Sequence, residues 1–285
     1  MNNVSVVIPA KNEAEGLATV LPKLTSISDC WQLIVVDDGS TDNTRDVCLE
    51  HGVQVVSHSY SKGNGAAVKA GARKATGDII VFMDGDGQHD PNDIPKLLNI
   101  LHSQNQDMVV GARDSESQAN VGRDVGNRLY NQLATYMTGH KVWDLTSGFR
   151  VVRANKFKEF LYLLPNGFSY PTTSTMAFFR AGYSVAYMPI KAAKRKGKSH
   201  LRLHKDGVRF LIIIFKIGTL YSPLKIFLPL SVSIFVTGFS YYMYTFSTAG
   251  RFTNMSALLF TTSLMIFLMG LISEQITTLV YKKNG

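Results

Sequence analysis

"IIVFMDGDGQHDP", residues 79–91, runs from five uncharged apolar residues straight into two aspartates. Ile79 to Met83 read as a strand buried on both faces, because the apolar run does not alternate with polar residues. Asp84 and Asp86 then follow with only Gly85 between them, and Gln88 and His89 come next. Two carboxylates one residue apart at a strand end can enter one crevice if the glycine lets the chain turn. Unpaired they repel, and one tends to take up a proton. A divalent cation removes the conflict. Mg2+ and Mn2+ prefer oxygen donors and bind through one or two carboxylates plus substrate phosphates. Asp84, Asp86 and the Gln88 amide oxygen therefore read as a metal seat. Two solvated turn aspartates are the plain alternative, which the preceding buried strand and the acids elsewhere disfavour.

Working outward, "VSVVIP", "QLIVVD", "VQVVS" and "DMVVG" are further short β-branched runs. Helical stretches lie between them, at Glu13–Ser26, Asp42–His51, Gly65–Ala75 and Pro91–His102. This βαβ series predicts an α/β domain over residues 1–190 with a mostly parallel sheet and covering helices. Ligands of such sheets bind beyond the carboxyl ends of the strands. Pro9 to Glu13 follow the first strand there, Asp37 and Asp38 end the second, and Asp84 to Gln88 end the fourth. In "VVDDGSTDNT", Ser40, Thr41 and Asp42 suit a helix cap, leaving Asp38 free to accept hydrogen bonds from a ligand's base or ribose. "SKGNGAAVKAG" places glycines beside a helix N-terminus, which suits either an anion or a close backbone approach. It is not a dinucleotide fingerprint, since Val68 stands where G-x-G-x-x-G needs its third glycine. No G-x-S-x-G, H-E-x-x-H or Walker loop occurs, so hydrolase and NTPase readings lack support.

The net charge of +9 is localised. Between Lys191 and Lys225 lie ten Lys or Arg and one acid, Asp206, whereas the remainder carries twenty of each sign. Beyond this band, residues 226–250 and 252–273 contain no charged side chain. Each run is long enough to cross a bilayer as a helix. They predict a transmembrane hairpin in 226–285, with spans at about 226–248 and 254–276. Lys225, Lys282 and Lys283 flank it, so the positive-inside bias puts both ends, and the α/β domain, in the cytoplasm. In 191–225, "DGVRFLIIIFKIGTLYSP" is too short and too charged to span. With Arg209 and Lys216 on one face, it predicts an interfacial amphipathic helix. The band then faces lipid headgroups, which disfavours nucleic acid as partner. Cys30 and Cys48 have no metal-type spacing and suit a reduced compartment. "MNNVSVVIPA" enters a strand at once, so no secretory signal is expected.

"VVIPAKNEAEGL", "VVDDGSTDNT", "GNGAAVKAGARKATGDIIVFMDGDGQHDP" and "VGAR" occur in this order. With them the sequence resembles the family 2 glycosyltransferases of the GT-A fold over about residues 4–155. "DLTSGFRVVR", "KRKGKSH" and the hairpin after "YSPLKIF" resemble its polyprenyl- and dolichyl-phosphate branch. The resemblance implies that Pro9, Asn12, Glu13 and Asp38 hold the nucleotide of a nucleotide-sugar donor. It implies that Asp84, Asp86 and Gln88 hold Mg2+ or Mn2+ on its diphosphate. Arg113, Arg123 and Asn127 match a stretch that binds acceptor or leaving phosphates. Asp84, Asp86 and Arg123 are the catalytic candidates, and Asp144, Ser147 and Arg150 belong to a D-x-x-S-G-F-R segment. Lys194 stands at the position of a family arginine, with Arg195 one place later, so Lys194, Arg195 and Lys198 are carried as a group. Ser61 replaces an asparagine common in the family.

The implied activity is inverting transfer of a sugar to a polyprenyl (undecaprenyl or dolichyl) phosphate at the membrane. A homo-oligomer is compatible with it. An acceptor phosphate, with a second pKa of about 6, is already largely deprotonated and needs no dedicated base. His89 and Asp90 are the fallback bases, helix entry before Pro91 being their alternative. Two rivals stay open: transfer to a saccharide acceptor in cell-surface polysaccharide synthesis, and an inactive membrane scaffold.

Overall fold

The computed structural model describes residues 3–113, 121–167, 169–191, 215 and 218–282, with the backbone alone for 121–127. Two compact units follow one another, Met1–His200 and Leu201–Gly285.

The first unit is built on seven strands: β1 (Val4–Ala10), β2 (Gln32–Asp37), β3 (Gln54–Ser57), β4 (Ile79–Phe82), β5 (Met108–Arg113), β6 (Arg150–Arg153) and β7 (Val185–Ile190). They form one sheet in the order β3-β2-β1-β4-β6-β5-β7. Pairings β1–β2, β1–β4, β2–β3 and β5–β7 are parallel. The predicted mostly parallel sheet is present. Every residue of β1 and β4 is buried, which is why their sequences do not alternate. The covering helices include α1 (Ala14–Ile27), α2 (Thr44–Glu50), α3 (Asn64–Lys74), α4 (Ile94–Ser103), α5 (Val121–Thr138), α6 (Ala154–Lys158) and α7 (Tyr170–Arg180). Helix α1 buries Leu17, Val20, Leu21 and Leu24, a stripe at helical spacing, in the core with β1 and β2. The stretch predicted as a helix from Pro91 starts with a single 3-10 turn, Pro91–Asp93, before α4.

One feature departs from the simple βαβ series. Strand β6 lies between β4 and β5 and runs antiparallel to both, pairing Phe82 with Arg150 and Val110 also with Arg150. Its first residue therefore sits at the carboxyl end of β4. The segment leading into β6, Asp144–Phe149, is thereby delivered to the same sheet edge as Asp84.

In the second unit, α8 (Leu224–Ala249) and α9 (Asn254–Lys282) form a helical hairpin turning at Gly250. Their mean hydropathies are 1.5 and 2.1 in the most apolar windows, of which only 11% and 17% of residues are buried. A soluble core helix would be mostly buried; here the apolar surface faces outward, as a membrane-spanning hairpin requires. The buried positions of α8 are Ser231, Gly238 and Thr245, and on α9 Ser256, Ser263, Gly270 and Thr277 are buried. Each set recurs every seven residues. Small residues let the two backbones approach closely where lipid offers no hydrophobic drive between helices. Ser231 and Ser263 lock the seam reciprocally, each hydroxyl donating to the other's carbonyl at 2.9 Å. Glu274 Oε2 accepts from the Leu224 N–H at 3.2 Å, satisfying one of the open donors that begin α8. The predicted interfacial helix and basic band of 191–225 lie almost wholly outside the described residues.

Candidate active site

The turn after β4 is shaped by two close approaches. A Cβ on Gly16 would lie 2.2 Å from the Gly85 carbonyl oxygen, so α1 packs directly on the backbone between the two aspartates. A Cβ on Gly148 would lie 2.9 Å from Asp84 Oδ2, so the carboxylate rests against this glycine. Tyr170, the first residue of α7, holds the other side by donating to the Gly148 carbonyl at 3.1 Å. Asp84 and Asp86 are both half-buried. Asp86 Oδ1 accepts from the Gln88 N–H at 3.1 Å, whereas Asp84 accepts no hydrogen bond from any described residue. Asp90 is used as the helix-entry alternative required, accepting from the Asn92 N–H at 3.1 Å. His89 is not: it is buried and stacked on Phe149, with ring centroids 5.0 Å apart. Burial pushes its pKa below the ordinary value against the pull of the Asp84 and Asp86 carboxylates.

Beside this turn lies an arginine–carboxylate pair. Arg113, the last residue of β5, donates from Nε to Asp144 Oδ2 at 2.8 Å and from Nη2 to Asp144 Oδ1 at 3.1 Å. The backbone N–H groups of Thr146 and Ser147 also donate to Asp144, at 3.0 and 3.1 Å. Burial would raise the Asp144 pKa, but the Arg113 guanidinium outweighs it and holds the carboxyl below the usual range. Ser147 Oγ donates to the Gly111 carbonyl at 2.6 Å. Arg150 is fully buried, and its Nη1 donates to Pro171 O, Ser174 Oγ and Thr175 Oγ1 at 2.9, 2.8 and 3.1 Å. Its Nη2 bonds the Ser147 carbonyl. The D-x-x-S-G-F-R segment is thus a brace joining β5, β6 and α7 behind Asp84. Its conspicuous charges are spent inside the protein.

Two consequences are measurable. Gly148→Ala is expected to push the Asp84 carboxylate off its seat and lower site activity by about one to two orders of magnitude. The thermal midpoint should move little, since one flexible carboxylate absorbs the added methyl. Turnover as in the wild type would show that Asp84 needs no such support. The second concerns acid. A carboxyl held below its unfolded value, about 3.9, stabilises the fold above that pH and loses this as pH falls through the folded pKa. Asp38, Asp107 and Asp144 are all held low in this way. The thermal midpoint should therefore drop as pH falls below about 4, and Asp144→Asn should lower it at neutral pH while flattening that acid limb.

The expectation that Asp38 stands free is corrected by the structure. Its Oδ1 is 2.7 Å from His58 Nδ1 and accepts from the Lys62 N–H at 2.8 Å. Its Oδ2 accepts from Ser61 Oγ and the Gly63 N–H, both at 2.8 Å. A carboxylate has about four acceptor sites, and all are used here. Burial raises the Asp38 pKa, but these bonds outweigh it and leave it below the usual value. Asp38 therefore organises the 58–63 loop, with Ser61 taking part through its hydroxyl. Asn12 adopts a left-handed φ of 55° and accepts from the Thr41 N–H at 2.8 Å, while its own N–H donates to Ser40 Oγ at 2.9 Å. Ser40 and Thr41 hence tie the β1 and β2 loops together, and Asp42 supports the start of α2 by accepting from the Thr44 N–H at 3.0 Å. Pro9 is buried within β1, and Glu13 is half-buried just before α1. The α3 N-terminus takes the close backbone approach: the Gly65 and Ala66 N–H groups donate to Gly167 O and Asn166 O at 3.1 and 2.9 Å.

Pro9, Asn12, Glu13, Asp38, Asp84, Asp86, Gln88, Arg113 and Asp144 thus lie on the strand ends and loops at one end of the sheet. Arg123 and Asn127 fall on α5, and their side chains lie outside the described residues, as do Lys194, Arg195 and Lys198. Sequence reasoning missed the Gly148–Tyr170 support of Asp84; its only trace was the glycine inside "SGF". For a cation, Asp84, Asp86 and Gln88 offer hard oxygen donors. Among the described residues no group of three or more His, Cys, Asp or Glu is placed to hold an ion alone. Mg2+ and Mn2+ suit such a seat, because they accept one or two carboxylates and complete their shells with substrate oxygens and water.

Comparison with known proteins agrees with this architecture. The dodecaprenyl-phosphate galacturonate synthase of Rhizobium johnstonii is 32% identical over 166 residues, covering 55% of this chain and 49% of that protein. The undecaprenyl-phosphate 4-deoxy-4-formamido-L-arabinose transferase of Photorhabdus laumondii is 31% identical over 163 residues, covering 54% and 50%. The chain spans about half the length of these curated relatives. A crystal structure of Mycobacterium tuberculosis glucosyl-3-phosphoglycerate synthase with Mn2+, UDP-glucose and phosphoglyceric acid superposes with a TM-score of 0.62 at 23% identity, over 76% of this chain and 79% of that one. It shows that the fold is shared. The GtrB C-terminal hairpin profile matches residues 222–279, the two apolar helices. Residues 5–161, from β1 through the acidic turn and the Arg150 brace, match the profile of glycosyl transferase family 2, and to that family the chain belongs.

Proposed function

We propose that the protein is a membrane-bound, metal-dependent, inverting glycosyltransferase that moves a sugar from a nucleotide diphosphate to a polyprenyl phosphate. The observation that carries this reading is Asp84. It is a half-buried carboxylate beside Asp86, supported from behind by Gly148, and it accepts no hydrogen bond from the described residues. A carboxylate placed in this way at the carboxyl end of a strand has its acceptor sites available to a ligand. Asp84, Asp86 and Gln88 would hold Mg2+ or Mn2+, which would spread the charge developing on a departing diphosphate. Arg113 lies next to this seat with its guanidinium oriented by Asp144, a fixed positive charge for phosphate oxygens. The loops organised by Asn12 and Asp38 shape the adjoining crevice for the nucleotide. Arg123, Asn127 and the Lys194, Arg195 and Lys198 group would supply further cations and donors to acceptor or leaving phosphate.

The lipid acceptor is supported by the hairpin, which tethers the domain to the phase in which a polyprenyl chain resides, and by the names of the two relatives. A phosphate acceptor needs no base, which agrees with Asp90 being consumed in helix entry. The catalytic domain faces the cytoplasm by the placement of Lys225, Lys282 and Lys283. The test is direct. Purified protein in detergent, given radiolabelled nucleotide-sugars, Mg2+ or Mn2+ and a polyprenyl phosphate, should yield a lipid-extractable labelled product that chelation abolishes. Labelled saccharide polymer in its place would indicate a saccharide acceptor, and no product from any donor would indicate a scaffold.

A further inference from the structure

His89 follows the metal-seat residues yet plays no part in the seat as described. Its ring lies flat on Phe149, 16° from parallel, so the imidazole plane is set by the core and not by solvent. Nδ1 is fully buried and has no hydrogen-bond partner among the described residues. A leucine or phenylalanine would cover Phe149 without burying an unpaired nitrogen, so packing alone does not account for a histidine here. The charged groups that act on the ring electrostatically are Asp84, Asp86, Arg113 and Asp144. The Asp144 carboxylate is already occupied by Arg113 and the 146–147 backbone. The ring that carries this buried, unpartnered nitrogen thus lies in the field of an acidic pair and a guanidinium, the surroundings in which a phosphate would lie.

We propose that His89 is a substrate-contacting residue whose Nδ1–H donates to a phosphoryl oxygen held between the Asp84–Asp86 turn and Arg113. The assignment rests on the phosphate-binding reading above and adds to it a residue and an atom. Phe149 fixes the ring so that the donor is in place before the ligand arrives, which limits the entropy lost on binding. The shared chemistry, a phosphoryl oxygen, can come from the diphosphate of the donor or from the monophosphate of the acceptor.

Calorimetry on the full chain in detergent micelles with Mg2+, using inorganic pyrophosphate and farnesyl phosphate as probes, separates these. His89→Phe keeps an aromatic ring on Phe149 and removes the nitrogen. It should weaken one probe by about ten- to a hundredfold, the range expected for a hydrogen bond to a charged group. His89→Asn, whose amide nitrogen takes the place of Nδ1, should recover most of the loss; His89→Leu serves as the comparison if the phenylalanine does not fold. Weakening confined to pyrophosphate assigns the bond to the donor side, and weakening confined to farnesyl phosphate assigns it to the acceptor side. A folded His89→Phe that binds both probes like the wild type, or an asparagine variant as weak as phenylalanine, overturns the assignment alone. A wild type that binds neither probe overturns the phosphate reading and this assignment with it.

Discussion

Asp84→Asn is expected to lower turnover about a thousandfold while leaving the thermal midpoint of the protein free of metal unchanged or slightly raised. The two halves of this result have one cause. The carboxylate accepts no hydrogen bond from described residues, so an amide of the same size breaks nothing internal. It also removes a like charge from the neighbourhood of Asp86, and that repulsion is unfavourable whenever no cation is bound. A metal that stabilises transition-state charge contributes several kcal/mol, and each 1.36 kcal/mol is about a decade in rate. The wild-type protein should also gain thermal stability on adding Mg2+ or Mn2+, by mass action on the folded state, and the variant should lose that gain. Turnover within tenfold of wild type would remove Asp84 from the metal seat and with it the proposed mechanism.

Arg150→Met should behave in the opposite way, as a folding defect first. The methionine fills a similar volume but leaves the Ser147 and Pro171 carbonyls without the guanidinium that joins them. A hydrogen bond to a charged group is worth about 1.5–3 kcal/mol, and losing the two to these carbonyls is, for a unit of this size, a fall of about 10 °C in thermal midpoint. Arg150→Lys should recover only part of this, because one ammonium cannot span the two sides that the planar fork bridges. Any activity lost should follow the Gly148 segment, since the brace holds the backbone on which Asp84 rests. A variant as stable as wild type but inactive would instead place Arg150 at the substrate.

The motifs that sit on one continuous stretch were legible. "IIVFMDGDGQHDP" declares a buried strand and an acidic turn because apolar pattern and charge change within six residues. The parallel strands β1, β2 and β4 were likewise readable from unalternated β-branched runs. Strand β6 was not: "RVVR" is four residues long, and nothing local states that it inserts antiparallel between β4 and β5. Asp38 was misread for a related reason. Its four partners lie 20 to 25 residues away in the His58–Gly63 loop, and the free appearance of an aspartate in sequence says nothing of donors that folding brings to it. The hairpin seam was visible in principle, as Ser231, Gly238 and Thr245 on one helix and Ser256, Ser263, Gly270 and Thr277 on the other, but apolarity drew attention to the other faces.

The amino-acid order by itself determined which segments bury themselves, where the chain enters a membrane and which carboxylates have no partner along the chain, since these depend on composition and short spacing. Which of those carboxylates acquire partners among the described residues was decided only by the tertiary structure. Hydrogen bonds saturate, so Asp38 is closed by donors from the distant 58–63 loop and Asp144 by Arg113 together with its own 146–147 backbone. Asp84 accepts no hydrogen bond from the described residues and rests against a glycine 64 residues further on, which the antiparallel entry of β6 brings beside it.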